Sequence, residues 1–259
     1  MTVEAVRVSS AWLDLRERAD AAARSRELVA RLLPRLPAGP LVIHDLACGS
    51  GAMGRWLGPL LPEPQEWVVY DRDPELLALA AGDTRLSDVT RLGRQELAGA
   101  TLVTASALLD LLTWDELPAV IRACARPGCP ILLTLSVTGR VKLSPEDPLD
   151  WHLAAAFNAH QRRLTRRGRL LGPDAVDATA AAFRLVGAEV IVRQSPWRLG
   201  ASENELIADW LEGWIGAACE QEPALAADAE LYRRRRLRQA EAGRLTVEVG
   251  HADLLVLDA

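Results

Sequence analysis

One stretch constrains this chain more than any other: Leu41-Val42-Ile43-His44-Asp45-Leu46-Ala47-Cys48-Gly49-Ser50-Gly51-Ala52-Met53-Gly54. It opens as a short apolar run, the pattern of a buried strand. It then turns through Gly49, Gly51 and Gly54 into an apolar-periodic segment, Arg55 to Leu61, that reads as a helix. Glycines allow a tight turn and a close backbone approach to a ligand. The start of the following helix offers free N–H groups. A G-x-G-x-x-G string alone is weak evidence, but here a strand precedes it and a helix follows. An acid also stands about 20 residues on, at Asp71, ending the second apolar run Trp67-Val68-Val69-Tyr70. A carboxylate there can accept both hydroxyls of a ribose.

Nicotinamide-dependent oxidoreductases use this arrangement, but their first strand usually runs apolar into the first glycine. Here Asp45 stands four residues ahead of Gly49. The string Asp45-Leu46-Ala47-Cys48-Gly49-Ser50-Gly51 resembles the first motif of the class I S-adenosylmethionine-dependent methyltransferases. That resemblance implies S-adenosyl-L-methionine as cofactor. Its methionine part would lie along Asp45, Ala47, Gly49 and Gly51, and its ribose at Asp71 with Arg72 beside it. Asp88 would meet the adenine amino group with Val89 against the ring. Ser106 to Asp110, leaving the fourth strand, would face the reacting methyl group, and Arg16 or Arg24 would meet the cofactor carboxylate from an N-terminal helical lid.

The order of elements supports the same architecture. Helical spacing runs through 10–36, and Pro34, Pro37, Gly39 and Pro40 end it. Strands read at 41–46, 67–70, 84–92 (weak), 100–107, 129–136 and 188–193, with helices at 74–81, 114–125 and 174–186 between them. Strand–helix alternation predicts a parallel sheet with helices on both faces. Residues 244–249 and 252–257 read as a closing strand broken at Gly250-His251. The expectation is therefore an α/β, doubly wound, Rossmann-like sheet of seven strands in order 3-2-1-4-5-7-6, with strand 7 antiparallel. One methyltransferase domain is expected over 1–259: a lid (1–40), a cofactor-binding core (41–194) with an insert (138–173), a helical insertion (195–243) and the closing strand (244–259).

The insert after the fifth strand falls at the carboxyl edge of the sheet, where loops carry function. Within it, His160 and Asn158 are the polar candidates for the acceptor site. A histidine can take a proton near neutral pH. The 195–243 segment carries an apolar stripe of Trp197, Leu206, Ile207, Trp210, Leu211, Trp214 and Ile215. It reads as core, as a homodimer face or as a cap, with Trp197 and Trp214 as cap residues. The Arg233–Arg236 run reads as a solvated face.

The chain has 259 residues, of which 49% are hydrophobic, and a net charge of −5, which argues against a dedicated nucleic-acid binder. Cys48, Cys124, Cys129 and Cys219 form no C-x-x-C pair, so neither zinc nor a disulfide framework is indicated, and a reduced cytoplasmic setting fits. No segment approaches the length of a membrane helix. The Asn/Asp-Pro-Pro-Tyr/Phe tetrad of the methyltransferases that act on adenine or glutamine amino groups is absent after the fourth strand. The expected activity is methyl transfer by in-line displacement to a small-molecule acceptor, with an RNA methyltransferase and a nicotinamide-dependent oxidoreductase as alternatives. Three stretches also resemble a group of bacterial methyltransferases: 16–24, 105–110 and 157–161.

Overall fold

The structure, a computed structural model, describes residues 8–93, 95–125 and 128–258. The first seven residues of the expected lid and Ala259 lie outside the described residues. β1 (Leu41–Leu46), β2 (Gln65–Asp71), β3 (Asp83–Leu86) and β4 (Leu102–Ser106) are parallel, and β5 (Ile131–Ser144) joins β4 in parallel. β6 (Glu189–Gln194) and β7 (Thr246–Leu257) complete the sheet, β7 running antiparallel between β5 and β6. The spatial order is 3-2-1-4-5-7-6, as expected. The central strands are buried on both faces, which is why they read as continuous apolar runs rather than alternations. β3 is the exposed edge, all four residues accessible, and its weak sequence signal follows from that.

Flanking helices α3 (Ala52–Leu57), α4 (Pro74–Leu77), α5 (Leu117–Ala125) and α7 (Ala175–Leu185) are shorter than the sequence spacing predicts. In α3, Pro59 sits in the one-turn 3-10 segment Gly58–Leu60 that ends the helix, because proline cannot donate to the preceding turn. The N-terminal segment forms two helices, α1 (Ser10–Ala23) and α2 (Arg26–Leu32). Asp253 of β7 fixes the step between them. Its carboxylate accepts from Ser25 N at 2.7 Å, Leu135 N at 2.8 Å and Ser195 Oγ at 2.6 Å.

Two boundaries need correction. β5 does not stop at Ser136. It continues to Ser144, taking the first residues of the expected 138–173 insert, because β7 supplies a partner along its whole length, Ser144 pairing with Thr246 and Ile131 with Val256. The break expected at Gly250-His251 is found there, as a register shift within a single strand. A Cβ on Gly250 would lie 2.5 Å from Thr138 Oγ1, so only glycine fits this crossing. The 195–243 segment is also not wholly helical. Trp197–Leu199 is a short strand on β7, followed by α8 (Asn204–Gln221) and α9 (Ala226–Glu241).

These helices and α6 (Leu149–Gln161) bury a second core on the extended half of β5 and β7. Trp210 and Trp214 stack inside it with ring centroids 5.1 Å apart. The apolar stripe is therefore filled within the chain, and Trp197 and Trp214, at 3% and 1% exposure, are core residues rather than a cap over a ligand. A buried Arg236 clamps α9 to α6, donating to Asp150 Oδ2 at 2.7 Å and Pro145 O at 2.6 Å, while Tyr232 Oη donates to Asp150 Oδ1 at 2.6 Å. Among the described residues no helix is long and apolar enough to cross a membrane.

Candidate active site

A cleft of about 390 Å³ opens at the carboxyl ends of β1, β2 and β4. A narrow extension of about 60 Å³ adjoins it, sharing Leu13, Arg16, Ala47, Gly49, Ser106 and Ala107. Ala47 and Ala107, the first residues beyond β1 and β4, both hold φ near +52°, a left-handed conformation unfavourable for a residue with a Cβ. They turn the chain aside at the two strand ends that bracket the opening.

The glycine loop is built around Asp71. One carboxylate oxygen accepts from Gly49 N at 2.8 Å and the other from Asp73 N at 2.9 Å. Both oxygens keep lone pairs toward the cleft that Asp71 lines, so they can accept a diol. Gly49 has φ +56° and lines the cleft, and a Cβ there would press on Leu13 Cδ1 at 3.1 Å. Gly51, at φ +85°, makes the turn into α3 and does not itself line either space. Gly54 faces the ring of Trp67, where a Cβ would make ordinary contact at 3.7 Å, so this third glycine is not required by the fold. Since α3 spans only six residues, the loop backbone rather than a long helix end shapes this wall.

The extension ends on two incompletely paired charges. Asp45, 1% exposed, accepts from Thr104 Oγ1 at 2.7 Å through Oδ1, while its Oδ2 has no partner. Burial pushes its carboxyl up to about 7. Arg24 of the α1–α2 junction is 3% exposed and donates through Nη2 to Ser106 Oγ at 3.1 Å. Its Nε and Nη1 have no partner, and burial lowers its pKa. Such groups ordinarily carry a desolvation penalty unless something pairs with them. An α-ammonium opposite Asp45 with an α-carboxylate opposite Arg24 supplies both missing partners.

Arg16 is held differently. Its Nε and Nη2 grip Asp20 at 2.9 and 3.2 Å, and Trp197 Nε1 donates to the same carboxylate at 2.8 Å. Its guanidinium carbon lies 4.9 Å from the Trp197 ring centroid and 5.9 Å from that of Trp12. Asp88 and Val89 line the cleft at the end of β3, where Asp88 Oδ1 accepts from Thr90 N and Oγ1. Arg72 lines it from an exposed position beyond Asp71. The structure thus brings Asp45, Ala47, Gly49, Asp71, Arg72, Asp88, Val89, Ser106 and Arg16 around one connected space.

It does not bring Asn158 and His160 there. Asn158 Nδ2 donates to Gly139 O at 2.8 Å, tying α6 to β5. His160 Nε2 meets Glu220 Oε2 of α8 at 3.2 Å, and burial together with Arg163 lowers its pKa. The reason is packing: Leu153 and Ala156 turn α6 into the second core rather than over the cleft. From the 138–173 insert only Arg167, on the turn between the short strands Leu164–Thr165 and Gly168–Arg169, reaches the cleft, paired with Glu116 at 3.0 Å. Leu108, within the stretch expected to face the reacting group, lines the cleft; Leu111 and Leu112, just beyond it, were missed, and their position after a strand end was the available signal.

No family model matches the chain, and no curated protein matches it in sequence. Solved structures do match. A candidate type II methyltransferase from Anaeromyxobacter dehalogenans aligns with 90% of this chain and 96% of its own, at 16% identity and a TM-score of 0.51. The YcgJ protein of Bacillus subtilis aligns with 90% of this chain and 97% of its own, at 13% identity and a TM-score of 0.51. With the antiparallel β7 between β5 and β6, the fold is that of the class I S-adenosylmethionine-dependent methyltransferases.

Proposed function

We propose that this chain binds S-adenosylmethionine and directs methyl transfer to a small-molecule acceptor. The observation that carries the reading is the pair of orphaned buried groups, Asp45 Oδ2 and Arg24 Nε/Nη1, at the end of an extension that adjoins the cleft holding Asp71. A zwitterionic amino-acid head and a ribose diol on one ligand would satisfy both. Asp45 would accept from the ammonium, Arg24 donate to the carboxylate, and Asp71 accept from the ribose hydroxyls. Asp88 and Val89 would meet the adenine, with Arg72 over the open side. When bound, the sulfonium would supply an electrophilic methyl group for in-line displacement. The chain's own part is to fix the geometry and keep water out, which can take several kcal/mol off the barrier. Leu13, Leu108, Leu111 and Leu112 provide the apolar walls for that.

A nicotinamide-dependent oxidoreductase would share the glycine loop and Asp71, but a dinucleotide offers no α-amino-acid head to Asp45 and Arg24. Calorimetric titration with S-adenosylhomocysteine and, in parallel, NAD⁺ tests the choice. Saturable binding of S-adenosylhomocysteine alone is expected. Binding of NAD⁺ alone would overturn the reading.

A further inference from the structure

Arg16 lines both the cleft and the extension and therefore stands at their junction, across from Ser106 and Ala107. This inference rests on the cofactor placement proposed above, in which Arg24 already meets the single carboxylate of the cofactor. A second guanidinium, that of Arg16, then remains without a ligand. The fork with Asp20 and the two flanking indoles set its orientation, and its side chain is 14% exposed. The fork consumes the Nε hydrogen and one of the two Nη2 hydrogens. Nη1 has no partner among the described residues.

We propose that Arg16 anchors the methyl acceptor, and that the acceptor is a small molecule carrying an ionised carboxylate on an apolar body. Asp20 occupies one edge of the guanidinium; a carboxylate oxygen on Nη1 leaves the other oxygen free, and even a grip through Nη1 and the second N–H of Nη2 leaves each oxygen a lone pair. The body has apolar surface to meet: Val8, Leu13 and Leu111 line the same cleft, with Val8 and Leu111 38% and 45% exposed at its mouth.

The shortage of bases points the same way. Among the described residues lining the cleft there is no histidine, cysteine, lysine or tyrosine. The three acids lining it, Asp71, Asp73 and Asp88, are engaged by backbone and side-chain donors. His160 lies outside the cleft on Glu220, and His251 is buried against the Trp197 ring at 5.1 Å. Asp110, in the turn after β4, feels the charge of Arg16 and is pushed up to about 6 by burial, but it does not line the cleft. An acceptor that arrives already ionised needs no base. Its free oxygen forms the new O–C bond as the C–S bond of the sulfonium breaks, the electron pair leaves on sulfur, and no proton moves.

The test uses benzoate as probe, titrated into protein saturated with S-adenosylhomocysteine, with benzamide as the neutral control. Benzoate should bind saturably and benzamide at least about tenfold more weakly, the difference expected of one charge-assisted hydrogen bond. Arg16→Gln should weaken benzoate at least about tenfold while leaving the S-adenosylhomocysteine affinity within about threefold of wild type. Leu111→Glu, a change at an exposed position, should also weaken benzoate by charge repulsion in protein kept saturated with S-adenosylhomocysteine, so the proposal stays testable if Arg16→Gln does not fold. Equal binding of benzamide and benzoate, or benzoate binding indifferent to both substitutions, would overturn it. So would a tenfold loss of S-adenosylhomocysteine affinity in Arg16→Gln, which would return Arg16 to the cofactor. Wild-type protein that binds no S-adenosylhomocysteine would sink the methyltransferase reading itself and this inference with it.

Discussion

At the scale of single residues, Asp45 shows the tension between stability and binding. Its folded pKa of about 7 stands above the ordinary carboxyl value of 3.8, so between those values the folded protein holds a proton that the unfolded chain has lost. Its contribution to stability is fully present below about pH 4 and is lost as pH rises through 7. Asp45→Asn keeps the shape, removes the buried charge and leaves an oxygen for Thr104. At pH 8 the ligand-free variant should be more stable than wild type by on the order of 2 kcal/mol, and its stability should no longer fall over this window, as thermal melts at pH 5 and pH 8 would show. Its S-adenosylhomocysteine affinity should drop about tenfold or more, and wild-type affinity should weaken as pH falls below 7; equal affinities in calorimetry would show that no ammonium meets Asp45. Asp45 and Asp71 were legible in the sequence because each ends an apolar run at a fixed distance from the glycines. Asn158 and His160 were misleading because a helix places neighbouring residues on different faces, and only packing decides which face the cleft sees. Which of Arg16 and Arg24 pairs with Asp20 was likewise invisible, since Asp20 stands four residues from each and only Ser106 and Trp197, far along the chain, distinguish their surroundings.

At the scale of elements, strand existence was more legible than strand length. The buried part of β5 announces itself as an apolar run to Ser136, but its extension through Gly139, Arg140 and Lys142 is strand only because Thr246–Val249 lies beside it, more than 100 residues later. The helical insertion shows the same dependence. Its apolar stripe was evident, whereas its partner, α6, was not. The Arg236–Asp150–Tyr232 clamp holds these helices together, and Arg236 is 1% exposed. Arg236→Met should lower the unfolding free energy by about 3 kcal/mol, because it leaves Asp150 short of its principal partner. Since none of the three residues lines the cleft, S-adenosylhomocysteine affinity should be unchanged. Denaturant unfolding alongside calorimetry would separate the two effects; a fall in affinity equal to the fall in stability would mean that the second core shapes the cleft.

At the scale of the whole molecule, the arginines that could have formed a basic surface are largely spent on acids of the same chain. Arg233 and Arg234 pair with Glu230, Arg233 also with Glu212, Arg235 with Asp147, Arg236 with Asp150, Arg162 with Asp174 and Arg167 with Glu116. With a net charge of −5, little is left to displace counterions from a phosphate backbone. No saturable binding of a transfer-RNA-sized RNA is expected in fluorescence anisotropy at about 50 mM salt, where nucleic-acid binders are strongest. Tight binding that collapses at about 200 mM would revive the RNA alternative. The position of β7 has a different kind of consequence. The strand made last occupies an interior place in the sheet, between β5 and β6, and lines both cores. During vectorial synthesis a nascent chain ending at residue 244 would carry a slot with unpaired backbone on both sides, open to a strand from any other chain. Folding must therefore wait for residue 257, and until then the chain depends on being kept apart from its neighbours.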